Sequence, residues 1–85
     1  MANDRFRPEL DTLRAARDEL RVQLHLAGAE ARDRFEELER RWHRLEGKLG
    51  VLADTAAEDA HEVGDAVSLL LHEIREGYEH LRKQI

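Results

Sequence analysis

From Leu10 to Ile85 apolar side chains recur at steps of three and four residues, and charged residues fill most of the gaps. The first half reads Leu10, Leu13, Leu20, Leu24, Ala27, Ala31, Phe35, Leu38, Trp42, Leu45, Leu49. The second reads Ala56, Ala60, Val63, Val67, Leu70, Ile74, Tyr78, Leu81, Ile85, and its part from Val67 repeats the Leu24–Trp42 series 43 positions later. Steps of three and four place such residues in one stripe along an α-helix, and a stripe needs a second helix to cover it. The chain is therefore expected to be all-α.

The stop and start signals divide the pattern into two helices. Pro8 suits a first helical turn, where its missing N–H costs nothing, and Glu9 and Asp11 complement the positive end of the helix dipole. Gly47 and Gly50 are stop signals, and Thr55-Ala-Ala-Glu58 reads as a capping box. The expected elements are a first helix over about 8–49, a turn over about 50–54 and a second helix over about 55–85, together one helical-hairpin domain. The apolar phase also runs through the turn (Leu45, Leu49, Leu52, Ala56, Ala60). One rod of roughly 120 Å, at 1.5 Å per residue, is thus the alternative. Two four-residue steps in a row, Ala27–Ala31–Phe35 and Leu70–Ile74–Tyr78, are stutters that unwind a left-handed supercoil locally. Arg17 stands where the series calls for an apolar residue.

Folding the chain at residues 50–54 sets Trp42 opposite Ala60, Phe35 opposite Val67, Ala31 opposite Leu70, Ala27 opposite Ile74, Leu24 opposite Tyr78 and Leu20 opposite Leu81. Large residues then mostly meet smaller ones, which keeps two helices at constant spacing. This hairpin leaves Leu10 and Leu13 uncovered. Val22, Leu26 and Ala29 on the first helix, and Leu69 and Leu71 on the second, lie off the main stripe. Two helices cannot enclose a core of their own. A long antiparallel hairpin (coiled coil) that dimerises into a four-helix bundle is the expected solution. Its core and interface would be Leu10, Leu13, Leu20, Leu24, Leu26, Phe35, Leu38, Trp42, Val67, Leu69, Leu70, Ile74, Tyr78 and Leu81.

The segments Arg17-Asp-Glu-Leu-Arg-Val-Gln-Leu-His-Leu-Ala-Gly-Ala-Glu-Ala-Arg-Asp-Arg-Phe-Glu-Glu-Leu-Glu39 and Leu69-Leu-Leu-His-Glu-Ile-Arg-Glu-Gly-Tyr-Glu-His-Leu-Arg82 resemble a family of short bacterial two-helix coiled-coil proteins. The likeness covers residues 17–85. It implies a bacterial, intracellular, all-helical protein, and it brings no activity with it.

Two groups of residues have metal-ligand spacing. Glu58-Asp-Ala-His61 matches the Glu-x-x-His of di-iron bundles, with Glu30 or Glu62 as further ligands. Ala60 and Val63 mark the inward face, however, so Glu58 and His61 lean outward. His72, Glu76 and His80 stack at four-residue steps and could hold zinc if water or a symmetry mate completed the shell. The bland reading of both is a solvated helix face, and no metal or other cofactor is expected. His25 and His43 flank the stripe singly. Ser68, the only serine, sits in an apolar helical run without a base arranged around it. Gly28, Gly64 and Gly77 interrupt helical pattern, and Gly28 is expected to allow close approach opposite Ile74.

Charge narrows the partners. The net charge is −5; residues 1–50 carry eleven acids and eleven bases, residues 51–85 eight acids and three bases. No basic stripe with interleaved aromatics is present, so nucleic acid is not an expected partner. The acidic second helix would be repelled by anionic lipid, and the longest apolar run, Val67-Ser-Leu-Leu-Leu71, is too short to span a bilayer. Absent cysteine removes thiolate chemistry. The N-terminus has no apolar h-region, so no signal peptide and a cytoplasmic location are expected. Two helices offer no concave pocket, so an enzyme is not expected. The expected role is non-catalytic: a structural or protein-interaction module that works by self-association, as a homodimer or with another helical protein. The alternatives are a metal-binding (di-iron or zinc) bundle and an amphipathic lipid-associating protein.

Overall fold

The computed structural model describes residues 5–54 and 57–85, with the side chains of 57–59 excepted. Every regular element among them is helical. Helix α1 spans Arg7–Gln23, α2 spans Ala29–Asp54 and α3 spans Ala57–Gln84, with a single 3-10 turn at Leu24–Leu26 between α1 and α2. Pro8 sits in the first turn of α1 with Glu9 beside it.

Contacts along the helices set their directions. Leu38 of α2 lies against Gly77 of α3, and Arg41 reaches Glu73. Gly28 and Ala31, at the start of α2, border the same hollow as Gln84 at the end of α3. These two helices are antiparallel. Helix α1 runs back along them: Glu9 pairs with Arg75 and Glu19 with Arg82, so α1 is parallel to α3, while Arg17 meets Glu39 of α2. The result is an up-down-up arrangement with extents of 45 × 19 × 16 Å.

One continuous first helix over 8–49 is therefore corrected. The chain breaks at Ala27, whose φ of −94° and ψ of 156° are extended, and α2 starts two residues later. Gly47 and Gly50 do not stop it. A Cβ at either would meet nothing within 4 Å, and the surrounding turns of α2 bury Leu45, Leu49 and Leu52. That burial outweighs the roughly 1 kcal/mol each glycine costs a helix. Helix α2 thus continues through the residues expected to form the turn. The capping box of Thr55 and Glu58 lies outside the described residues.

The break lets one chain enclose its core from three sides, which two helices could not do. Phe6, Leu10, Leu13 and Leu20 come from α1 and its start; Ala31, Phe35, Leu38, Trp42, Leu45, Leu49 and Leu52 from α2; Val67, Leu70, Leu71, Ile74, Tyr78 and Leu81 from α3. Leu10 and Leu13, uncovered in a two-helix hairpin, are buried within the monomer, and so is Leu71. Leu24 is partly buried. Leu26 and Leu69, placed in the core or interface by sequence, stand out of it at 90% and 58% exposure. The register also differs. Gly77 meets Leu38, where folding at residues 50–54 would bring that part of α3 to Leu24, a displacement of about four helical turns.

Candidate functional site

Arg17, the residue out of keeping with the apolar stripe, anchors a polar knot between α1 and α2. Its position in α1 faces inward because Leu13 and Leu20 do, and both are buried. The guanidinium grips the Glu39 carboxylate with two hydrogen bonds, Nε to Oε1 and Nη2 to Oε2, both 2.6 Å. This parallel pairing is the strong, geometry-specific form of an ion pair. Both side chains are about one-fifth exposed. Arg21, one turn further on, adds a longer contact of 3.4 Å to Glu39 Oε2. The Arg17 guanidinium also lies over the ring of buried Trp42, 5.3 Å from its centroid, within cation–π range.

The third helix contributes Tyr78. It is 2% exposed, and its hydroxyl has no hydrogen-bond partner among the described residues. Burial pushes the phenol well above its ordinary range, and the charge of Glu39 pushes the same way, while Arg17 and Arg21 oppose it. The hydrogen bonds from Arg17 hold the Glu39 carboxyl below the usual carboxylate range, against the cost of burial. The same bonds raise Arg17. Chemically the Arg17–Glu39 pair is a clamp, a carboxylate held by a bidentate guanidinium between α1 and α2.

Of the residues with metal-ligand spacing, His72 and Glu76 meet, and His80 does not join them in a three-residue cluster. His72 Nδ1 accepts from Arg75 Nη2 at 3.2 Å, and its Nε2 lies 3.2 Å from Glu76 Oε1. Both ring nitrogens of His72 are thus engaged within α3, one by the guanidinium and one by the carboxylate. His61 faces Asp65 at 3.7 Å, and both are exposed. His80 is exposed on a groove between α2 and α3 lined by Arg34, Glu37, Leu38, Arg41 and Gly77. The Glu58 side chain lies outside the described residues. Among the described residues no three His, Cys, Asp or Glu side chains converge where they could hold a metal ion. Nor is any helix among them long and apolar enough to cross a membrane.

Two glycines change role. A Cβ on Gly28 would meet nothing within 4 Å, so Gly28 does not mark a close approach to Ile74. At Gly77 a Cβ would lie 3.2 Å from Leu38 Cγ and 3.1 Å from its Cδ1, with Cδ2 nearer still. The tight crossing of α2 and α3 is therefore at Gly77. The Arg17–Glu39 clamp escapes sequence reasoning because its partners are 22 residues apart. Its one visible signal is the charge at an apolar position.

Comparison of the chain with family models, with curated proteins and with solved structures found no match.

Proposed function

We propose that this chain is a non-catalytic structural and interaction module that works by self-association of its helices, as a cytoplasmic homodimer. The observation that carries this reading is the set of large apolar side chains left outside a core the monomer has already closed. Val22, Leu26 and Ile85 are 69%, 90% and 40% exposed, while Val51 and Leu69 stand out at 52% and 58% elsewhere on the bundle. The first three carry the reading, because they lie toward one end of the bundle, where Glu19 of α1 meets Arg82 of α3. Single exposed leucines are ordinary. Several at one end of a chain otherwise dense in charge favour a contact with another apolar surface. A second copy supplies such a surface by symmetry.

The charged faces suit this role. The cross-helix pairs Glu9–Arg75, Glu19–Arg82 and Arg41–Glu73 span 3.7–3.9 Å between half-exposed side chains. Each contributes under about 1 kcal/mol, so they tune contacts more than they hold the fold. Light scattering after gel filtration tests the proposal. A mass that rises from one chain to two with concentration, unchanged by chelator, supports it. A single-chain mass at every concentration refutes it, and a dimer that chelator dissolves would put metal binding in its place.

A further inference from the structure

The connection between α1 and α2 is built like a hinge. Leu24 has helical dihedrals (φ −61°, ψ −20°), Leu24–Leu26 form a 3-10 turn, and the extended backbone is at Ala27. Gly28 follows, accepting the first hydrogen bond of α2 from the Arg32 N–H at 3.2 Å. No glycine or other described residue takes a positive φ, so nothing in the connection is closed to a right-handed helix. The apolar series Leu20, Leu24, Ala27, Ala31, Phe35 keeps helical phase straight across it. A return of Ala27 and Gly28 to helical dihedrals would join α1 and α2 into a continuous helix of roughly 72 Å.

Opening strips α1 from its own bundle and exposes Phe6, Leu10, Leu13 and Leu20, all buried in the closed chain. The vacated groove between α2 and α3 of one copy has the shape and charge for one ligand, the α1 of another copy. The pairs that seat α1 transfer without change: Glu9 with Arg75, Arg17 with Glu39, Glu19 with Arg82. Arg17 and Glu39 are equally distant from Gly28 along the chain. Two continuous antiparallel helices related by a two-fold axis near Gly28 would pair the same residues between copies that the closed hairpin pairs within one. Short connections between elements that could continue as one helix favour exchange of this kind.

We propose that Ala27–Gly28 is a hinge through which two copies exchange α1, each α1 seating in the groove between α2 and α3 of the other. This rests on the self-association proposed above and gives it a geometry. Gly28→Ala favours the continuous helix, and its new methyl meets nothing in the closed chain. It is expected to lower the dimer dissociation constant about thirty-fold, the alanine preference acting once in each chain. Ala29→Pro leaves the first position of α2 intact, where proline is welcome, but breaks a continuous helix at that point. It should raise the dissociation constant at least a hundred-fold, with circular dichroism showing that the helices remain.

The test is light scattering of wild type and both variants, joined to cross-linking of Glu9→Cys/Arg75→Cys with a short bis-maleimide. The chain has no cysteine of its own. Cross-links between chains in the dimer peak, with the two shifts above, are the expected result. A dimer whose cross-links stay within each chain would overturn the exchange and leave self-association standing. Wild type and Gly28→Ala both staying single-chain at all concentrations would sink the two together.

Discussion

Replacing Arg17 with methionine isolates what the clamp contributes. Methionine keeps an unbranched stem against Trp42 and removes the guanidinium. Two charge-assisted hydrogen bonds of 2.6 Å are lost; counted as one bidentate contact, since both join the same two partly exposed groups, they contribute about 1.5–3 kcal/mol. Loss of the contact with the Trp42 ring adds about 0.5–1 kcal/mol. Two features reduce the sum. Glu39 keeps Arg21 at 3.4 Å, and one-fifth of its side chain reaches solvent, so it is not stranded as a fully buried charge would be. A net destabilisation of about 2 kcal/mol follows, or roughly 8–16 °C in Tm for a domain of this size.

Substituting Glu39 with methionine as well should recover most of the loss, because apolar replacement of both partners avoids the unpaired carboxylate. The coupling between the two sites should exceed about 1 kcal/mol. Urea unfolding followed by the fluorescence of Trp42, the only tryptophan, measures all four corners of the cycle. The pH dependence has a definite sign. Glu39 titrates below its ordinary value in the folded chain, so the clamp's stabilisation is present above the ordinary carboxylate pKa. It fades as pH falls through the lowered value, and wild type and Arg17→Met should converge there. Arg17→Met within about 0.5 kcal/mol of wild type at neutral pH, a difference typical of inert surface changes, would refute the reasoning.

Tyr78→Phe removes a buried hydroxyl that has no partner among the described residues and should stabilise by about 1 kcal/mol in urea unfolding; a loss of that size would contradict the burial argument. The phenol's pKa is raised, so wild type should lose stability as pH rises above the ordinary tyrosine value near 10, and the Phe variant should lose less. Tyrosinate absorbance reports this without overlap, since the chain has one tyrosine. Gly77→Ala forces Leu38 to move and should cost about 1 kcal/mol net, overpacking exceeding the gain in helix propensity. Gly47→Ala meets no neighbour and should instead gain about 0.5–1 kcal/mol, so thermal melts of the two should shift in opposite directions.

The stripe itself is legible in the sequence. Leu10, Leu13, Leu20, Phe35, Leu38, Trp42, Val67, Leu70, Ile74, Tyr78 and Leu81 are all buried, because a period near 3.6 reports a buried face whatever covers it. What covers the face is a matter of chain topology, and there the local signals mislead. Gly47 and Gly50 form the densest pair of helix breakers, yet tertiary burial by Leu45, Leu49 and Leu52 carries α2 through them. The actual break falls at Ala27, a strong helix former in perfect phase, beside a lone glycine. Misplacing the break shifts the register of α3 and makes a second copy seem necessary to cover Leu10 and Leu13. Leu71 reads as an outer-face residue for the same reason: with α1 folded back, the core has a third side. Arg17 is legible as an anomaly, but a carboxylate one helix away leaves no trace in local spacing.

The fold-back of α1 is best tested by small-angle X-ray scattering on dilute protein. Extents of 45 × 19 × 16 Å and a Cα radius of gyration of 14.0 Å predict a short, compact particle. A first helix unbroken over residues 8–49 would stretch a hairpin to about 63 Å, and a continuous rod would reach about 120 Å. A maximum dimension well under 60 Å for the single chain is the expected result. A single-chain particle of 60 Å or more would contradict the account.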